Sequence, residues 1–136
     1  MTWPGGAGAL RSTIGDLAKW QAALFGGKVL KADSFKQMTM PGKLKDGSVI
    51  DMAPATPRPG AEVRHDAYAF GLAVGAFEGE ADIGHSGSIQ GFNAELDTFP
   101  KSKVTVVALV NTDGRGAGEI ERAVAKIVLH AGAAAQ

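Results

Sequence analysis

Cysteine is absent from the 136 residues, which excludes disulfides, thiolate zinc sites and a cysteine nucleophile. A surplus of either charge is also missing: 14 Lys and Arg balance 14 Asp and Glu. Nucleic acid and anionic membrane surfaces both call for a basic surplus, so neither is expected as a partner. No stretch approaches the roughly 18 uncharged apolar residues that cross a bilayer, so no membrane span is expected. The opening Met1-Thr2-Trp3-Pro4-Gly5-Gly6 lacks the basic-then-apolar pattern of a secretory leader. Bacterial periplasm and cytoplasm are both compatible with these absences. The three histidines, His65, His85 and His130, show no paired spacing of the H-x-x-x-H kind. No metal and no cofactor are therefore expected.

What the chain does have is enough length for one domain, residues 1–136, with 45% apolar residues to form a core. Its 19 glycines follow no repeat and mark turns and close backbone approaches. Met1 directly before a Gly-rich loop suggests an expressed segment of something longer.

After that entry loop, over 3–12, the spacing predicts a helix from Thr13 to Phe25. Thr13 caps it, Asp16 suits its positive end, and Gly26-Gly27 stops it. Its apolar positions Ile14, Leu17, Ala18, Leu24 and Phe25 share a face. A second helix is expected from Ala32 to Met40, with Phe35 and Met38 inward, ending before Pro41. From 41 to 66 periodicity disappears, and Pro54, Pro57 and Pro59 fall within six residues. This segment reads as a long surface loop. Strands are expected over Tyr68–Gly75, Asp82–Ser86, Phe92–Phe99 and Lys103–Val110, with a tight turn at Pro100-Lys101-Ser102. A last helix is expected from Ala117 to Leu129 with Ile120, Val124, Ile127 and Val128 inward, and 131–136 is expected to fray. The sum is an α+β layout, an antiparallel sheet of three to four strands flanked by helices.

The order of these landmarks carries a resemblance. Gly5-Gly6-Ala7-Gly8-Ala9-Leu10-Arg11-Ser12-Thr13 with Asp16-Leu17-Ala18-Lys19-Trp20 is similar to the GAGGL-ST-DLA-F segment of the β-lactamase-like serine hydrolases. That family includes class C β-lactamases, DD-peptidases and esterases. Gly27-Lys28-Val29-Leu30 with Met38 and Pro41 looks like the stretch that follows there. Tyr68-Ala69-Phe70-Gly71-Leu72 resembles the YGLGW strand with one residue inserted. Gly84-His85-Ser86-Gly87-Ser88-Ile89-Gln90-Gly91-Phe92 resembles GHGGGTPGF, and Val106 to Thr112 resembles VVVLTN. Each match is weak alone, but five stand in order between about residues 3 and 129. The resemblance implies the C-terminal part of the β-lactamase/transpeptidase-like fold.

It also implies roles. His85-Ser86-Gly87 fills the slot of the third active-site motif, on a strand edging the catalytic cleft. His85 suits hydrogen bonding to a substrate carboxylate or a proton relay. Gly87 suits close passage of a substrate. The backbone N–H of Ser88 would be one oxyanion-hole donor. The full enzyme would cleave a small ester, amide or peptide through an acyl-serine, with esterase or peptidase favoured over β-lactamase by the His form of the motif.

The departures are equally specific. The family's nucleophile sits in Ser-x-x-Lys, and none of Ser12, Ser34, Ser48, Ser86, Ser88 or Ser102 has lysine three residues on. The Tyr-x-Asn motif is also missing, since Tyr68 is followed by Ala69-Phe70. The expectation is a C-terminal portion without a nucleophile, inactive alone, whose partner is the missing N-terminal catalytic portion or a second copy of itself. The competing class is a non-catalytic binding or self-associating module on the same half-fold. Two lookalikes fail. Gly84-His85-Ser86-Gly87-Ser88 lacks the last glycine of the G-x-S-x-G elbow and leads toward a strand instead of a helix. Gly114-Arg115-Gly116-Ala117-Gly118 would place Glu119 at the third glycine of a dinucleotide loop, against a pyrophosphate.

Overall fold

The computed structural model describes residues 5–51, 67–113 and 116–134. Trp3, the proline cluster at Pro54, Pro57 and Pro59, His65-Asp66, Gly114-Arg115 and the last two residues lie outside them. After a four-residue helical turn, α1 (Gly5–Gly8), the first full helix is α2 (Ile14–Phe25). Its cap is the one expected: Thr13 has extended backbone, and its hydroxyl oxygen accepts from Asp16 N–H at 3.2 Å. Asp16 also holds Lys19 at 3.2 Å. At the other end a Cβ on Gly26 would meet the Ala22 carbonyl, and Gly27 has φ +71. Glycine is therefore required where the helix stops. The short α3 (Ala32–Met38) packs edge-on through Phe35 against Phe25, ring centroids 5.2 Å apart.

The sheet is antiparallel throughout, in the order β1-β2-β3-β4-β5. It has five strands because the strand expected over Tyr68–Gly75 is split. β1 is Ala67–Tyr68 and β2 is Ala73–Phe77. The bend between them is closed by Ala69 N–H donating to Leu72 O at 2.8 Å, with Gly71 at φ +72. A Glu78-Gly79 turn with φ +47 and +81 joins β2 to β3 (Glu80–Ile89), a conformation suited to a twisted hairpin. β3 extends beyond Asp82–Ser86 at both ends and so contains the whole Gly84–Ser88 segment. β4 (Phe92–Phe99) has the expected bounds, and β5 (Val104–Val110) starts after Lys103, which lies in the turn at φ +57.

Helix α4 (Ala117–Ala134) crosses β4 and β5. It departs from expectation twice. It stays helical through Ala134, where alanine, the strongest helix former, dominates the end. Its orientation is also rotated: Ala117, Glu121, Ala125 and Leu129 are buried, while Ile120, Val124, Ile127 and Val128 are 41–69% exposed. Apolar residues occupy both sides of this helix, so periodicity alone does not choose between them. The chosen side carries two small alanines and the charges that meet acidic groups on the sheet. Phe99, Val106, Ala125 and Leu129 form the core there, with Phe77 and Val104 packed against it. Burying such aliphatic and aromatic side chains contributes roughly 1.5–3 kcal/mol each before entropy is counted. Among the described residues no helix is long and apolar enough to cross a membrane.

Candidate active site

Gly84-His85-Ser86-Gly87-Ser88 forms the second half of β3. On one side β4 pairs with all of it, His85 opposite Leu96 and Ser88 opposite Asn93. On the other side β2 pairs only as far as Gly84, opposite Ala73. From His85 to Ser88 the strand therefore has one edge that no described strand covers, and all four residues are exposed. An open strand edge offers backbone donors and acceptors to an extended ligand.

The two glycines of this stretch differ. A Cβ on Gly84 would fall on the Asp97 carboxylate and the Leu96 carbonyl, so internal packing dictates glycine there. A Cβ on Gly87 would meet only the Ala94 Cβ at 3.7 Å, an ordinary contact. Nothing inside the described fold requires glycine at 87. Its bareness leaves room on the outside of the strand.

His85 is held through both ring nitrogens. Nδ1 faces the Ser86 carbonyl, and Nε2 lies 3.1 Å from the Tyr68 hydroxyl. The rings meet edge to face, centroids 5.9 Å apart. Tyr68 itself is half-buried and fixed at its backbone. Its N–H donates to Ile50 O at 3.1 Å, and its carbonyl accepts from Gly42 N–H at 2.8 Å. Beyond Ser88 the chain turns at Gln90-Gly91 straight into β4. The Asp113 carboxylate accepts from Gly91 N–H at 2.6 Å, and Asn93 Nδ2 donates to Thr112 O at 2.7 Å. The helix that a nucleophile elbow needs is replaced by this hairpin. Among the described residues no side-chain base bonds the Ser86 or Ser88 hydroxyl. Asp82, a conceivable partner for a catalytic histidine, is instead buried and paired with Arg122 at 2.6 Å.

That pair belongs to a buried charged layer between the sheet and α4. Asp82 on β3, Asp97 on β4 and Glu121 on α4 are all fully buried. Arg122 reaches Asp82, lies 3.5 Å from Glu121 and 3.9 Å from Asp97, and stacks 4.4 Å over the Phe77 ring. Burial, then the neighbouring negative charge of Asp97, pushes the Glu121 carboxyl up to about 8, partly opposed by Arg122. Glu121 thus holds a proton at neutral pH, and a hydrogen bond with Asp97 favours that form. Desolvation lowers the Arg122 value but its three acidic neighbours outweigh it, and the net shift is upward. Among the described residues no group of three or more His, Asp or Glu side chains is placed to hold a metal ion.

A family model described as Beta-lactamase matches residues 1–130. The chain belongs to the Beta-lactamase family. The fold of this Beta-lactamase-family chain is similar to that of an octameric penicillin-binding protein homologue from Pyrococcus abyssi, with TM-score 0.68 and 21% identity. The match covers 88% of the present chain and 24% of that protein, so the chain spans about a quarter of its relative's length. A search of curated protein sequences finds no match.

Of the residues expected at the site, His85, Ser86, Gly87 and Ser88 lie together on one strand. The sequence places Tyr68 at the start of the YGLGW-like strand and outside any Tyr-x-Asn motif, with no site role, and the structure brings its hydroxyl to His85. A continuous strand over 68–75 hides that contact, because the bend at 69–72 sets the position of Tyr68. The Asp82, Asp97, Glu121 and Arg122 layer was also missed. Its signal was present as acidic residues inside the apolar runs of ADIG and AELDTF, where strand alternation turns some of them inward.

Proposed function

We propose that this chain forms the third-motif wall of an acyl-serine hydrolase site and takes its nucleophile from polypeptide outside these 136 residues. The observation that carries the reading is the half-open stretch of β3. There His85 is exposed and held by Tyr68, beside a glycine that internal packing does not require. The absence of Ser-x-x-Lys and Tyr-x-Asn from the sequence supports an external nucleophile.

In this reading a substrate ester or amide lies along β3 from His85 to Ser88. Gly87 lets its backbone approach, and Ser88 N–H stabilises the oxyanion of the tetrahedral intermediate, a contribution typically of about 10²–10³ in rate. Ser86 is a part of the strand and not the nucleophile. His85 takes part in proton movement as the serine attacks and as water releases the acyl group. A histidine in place of a permanently charged lysine favours esters or peptides over β-lactams.

The apolar outer ridge of α4, Ile120, Val124, Ile127 and Val128, supports association with the nucleophile-bearing polypeptide or with a second copy. The octameric assembly of the structural neighbour favours the second copy. The same ridge also suits a purely binding module, and the two readings separate in one assay. Purified chain is mixed with p-nitrophenyl acetate, alone and with a family segment bearing Ser-x-x-Lys and Tyr-x-Asn. Hydrolysis that needs both parts supports the hydrolase wall. No hydrolysis by a stable complex of the two supports the binding module.

A further inference from the structure

The two hydrogen bonds of His85 fix where its proton sits. A backbone carbonyl only accepts, so the ring nitrogen facing the Ser86 carbonyl, Nδ1, must carry hydrogen. In the neutral ring the other nitrogen, Nε2, then has a lone pair and no hydrogen. The Tyr68 oxygen 3.1 Å away can supply one, so the phenol O–H donates to Nε2. The opposite tautomer would set a lone pair of Nδ1 against the carbonyl oxygen and lose that bond. In water the Nε2–H form is the commoner one, so the site selects against the ring's ordinary preference.

The backbone that carries the phenol is held in place, so its hydroxyl is positioned to keep the ring turned with Nδ1 at the Ser86 carbonyl. Tyr68 is clamped from two sides, by Ile50 and Gly42 through its backbone and by β2 through its pairing with Ala73. A Cβ on Gly42 would stand 3.2 Å from the Tyr68 carbonyl, tighter than ordinary contact, which leaves little space to shift this junction. His85, by contrast, is exposed on a strand edge and has no other side-chain partner among the described residues that would orient its ring.

We propose that Tyr68 is a positioning residue of the candidate site, holding His85 as the neutral Nδ1–H tautomer with Nε2 as the proton acceptor. The proposal rests on the hydrolase reading above for its meaning in catalysis, but not for its test. Its consequence is that neutral His85 offers no free N–H to a substrate. Protons pass between Nε2 and a substrate or nucleophile hydroxyl that hydrogen-bonds to the phenol oxygen. Tyr68 thus acts through His85, and the pair forms a two-member relay.

The test is a long-range ¹H–¹⁵N correlation spectrum of the uniformly labelled 136-residue chain, recorded at a pH where histidine is neutral. His85 is assigned by comparison with His85→Gln. The expected pattern is protonated Nδ1 and unprotonated Nε2 in the wild type. Tyr68→Phe, with backbone amide shifts unchanged away from Tyr68 and His85, is expected to move the ring toward Nε2–H. A wild-type ring in the Nε2–H form, or a tautomer ratio that Tyr68→Phe leaves unchanged, overturns the proposal. Should Tyr68→Phe fail to fold, the wild-type spectrum alone still decides which nitrogen carries hydrogen. Neither readout depends on hydrolysis, so an inactive complex would count against the hydrolase reading and leave the tautomer result standing.

Discussion

The Asp97 carboxylate occupies the space that a Cβ on Gly84 would need. Gly84 precedes His85 directly, and Asp97 is its partner across the β3–β4 ladder. The buried charges under α4 are therefore joined to the site strand by a contact that tolerates no side chain. Gly84→Ala is expected to lower stability by about 1–3 kcal/mol, the usual cost of overpacking, read from the urea midpoint. Gly87→Ala, with only Ala94 nearby, is expected to stay within about 0.5 kcal/mol of wild type. The reverse order would contradict the different reasons given for the two glycines.

Glu121 makes stability depend on pH in a defined sense. Its folded value of about 8 lies above the ordinary 4.5, so the folded chain holds this proton more tightly than the unfolded chain. The contribution is complete below 4.5 and is lost as pH rises through about 8. The groups facing it are Asp82 on β3, Asp97 on β4 and Arg122 on α4. Urea midpoints of the wild type are expected to fall across this window, with a slope of up to about 1.4 kcal/mol per pH unit from this group. Glu121→Gln is expected to flatten that slope.

Arg122 pairs with the buried Asp82 and lies close to Asp97 and Glu121. Removing one member of a buried ion pair leaves an uncompensated charge and typically costs about 3–5 kcal/mol. Arg122→Ala is expected to fall in that range by thermal or urea unfolding. Arg122→Lys is expected to recover only part of the loss, because an ammonium does not reproduce the guanidinium stack on Phe77 together with the Asp82 contact.

The outer ridge of α4 bears on assembly. If the chain pairs through it, Ile127→Lys, at a position 69% exposed, is expected to convert an associated species to monomer in light scattering. The urea midpoint extrapolated to low protein concentration is expected to stay unchanged. A wild-type chain that is monomeric at all concentrations, and that binds no nucleophile-bearing segment, would contradict the role given to this ridge.

Much of this molecule was legible in its sequence, for physical reasons. Thr13, Asp16 and Gly26-Gly27 are local signals, and they mark both ends of α2. The segments expected as strands over Phe92–Phe99 and Lys103–Val110 are rich in β-formers with a turn between them; the first appears with its expected bounds and the second starts one residue later, at Val104. The ordered motifs indicated the family, and His85 to Ser88 fell on one exposed strand. The outward side of α4 was not legible, because apolarity alone favours Ile120 and Ile127 over Glu121 for burial. The favourable contact across that layer is made by Arg122, which reaches Asp82 on the opposing sheet, while Glu121 is buried in protonated form. The Tyr68–His85 contact was hidden for a similar reason. It depends on a bend at Gly71 between two short strands, and sequence periodicity joined them into one.

The most direct test of the account is ester hydrolysis by the chain with and without a segment bearing Ser-x-x-Lys and Tyr-x-Asn. The chain alone is expected to be inactive, the reconstituted pair active, and the pair with His85→Ala slower by about 10²-fold or more. Hydrolysis by the chain alone that His85→Ala abolishes would place the nucleophile within these 136 residues and contradict the account.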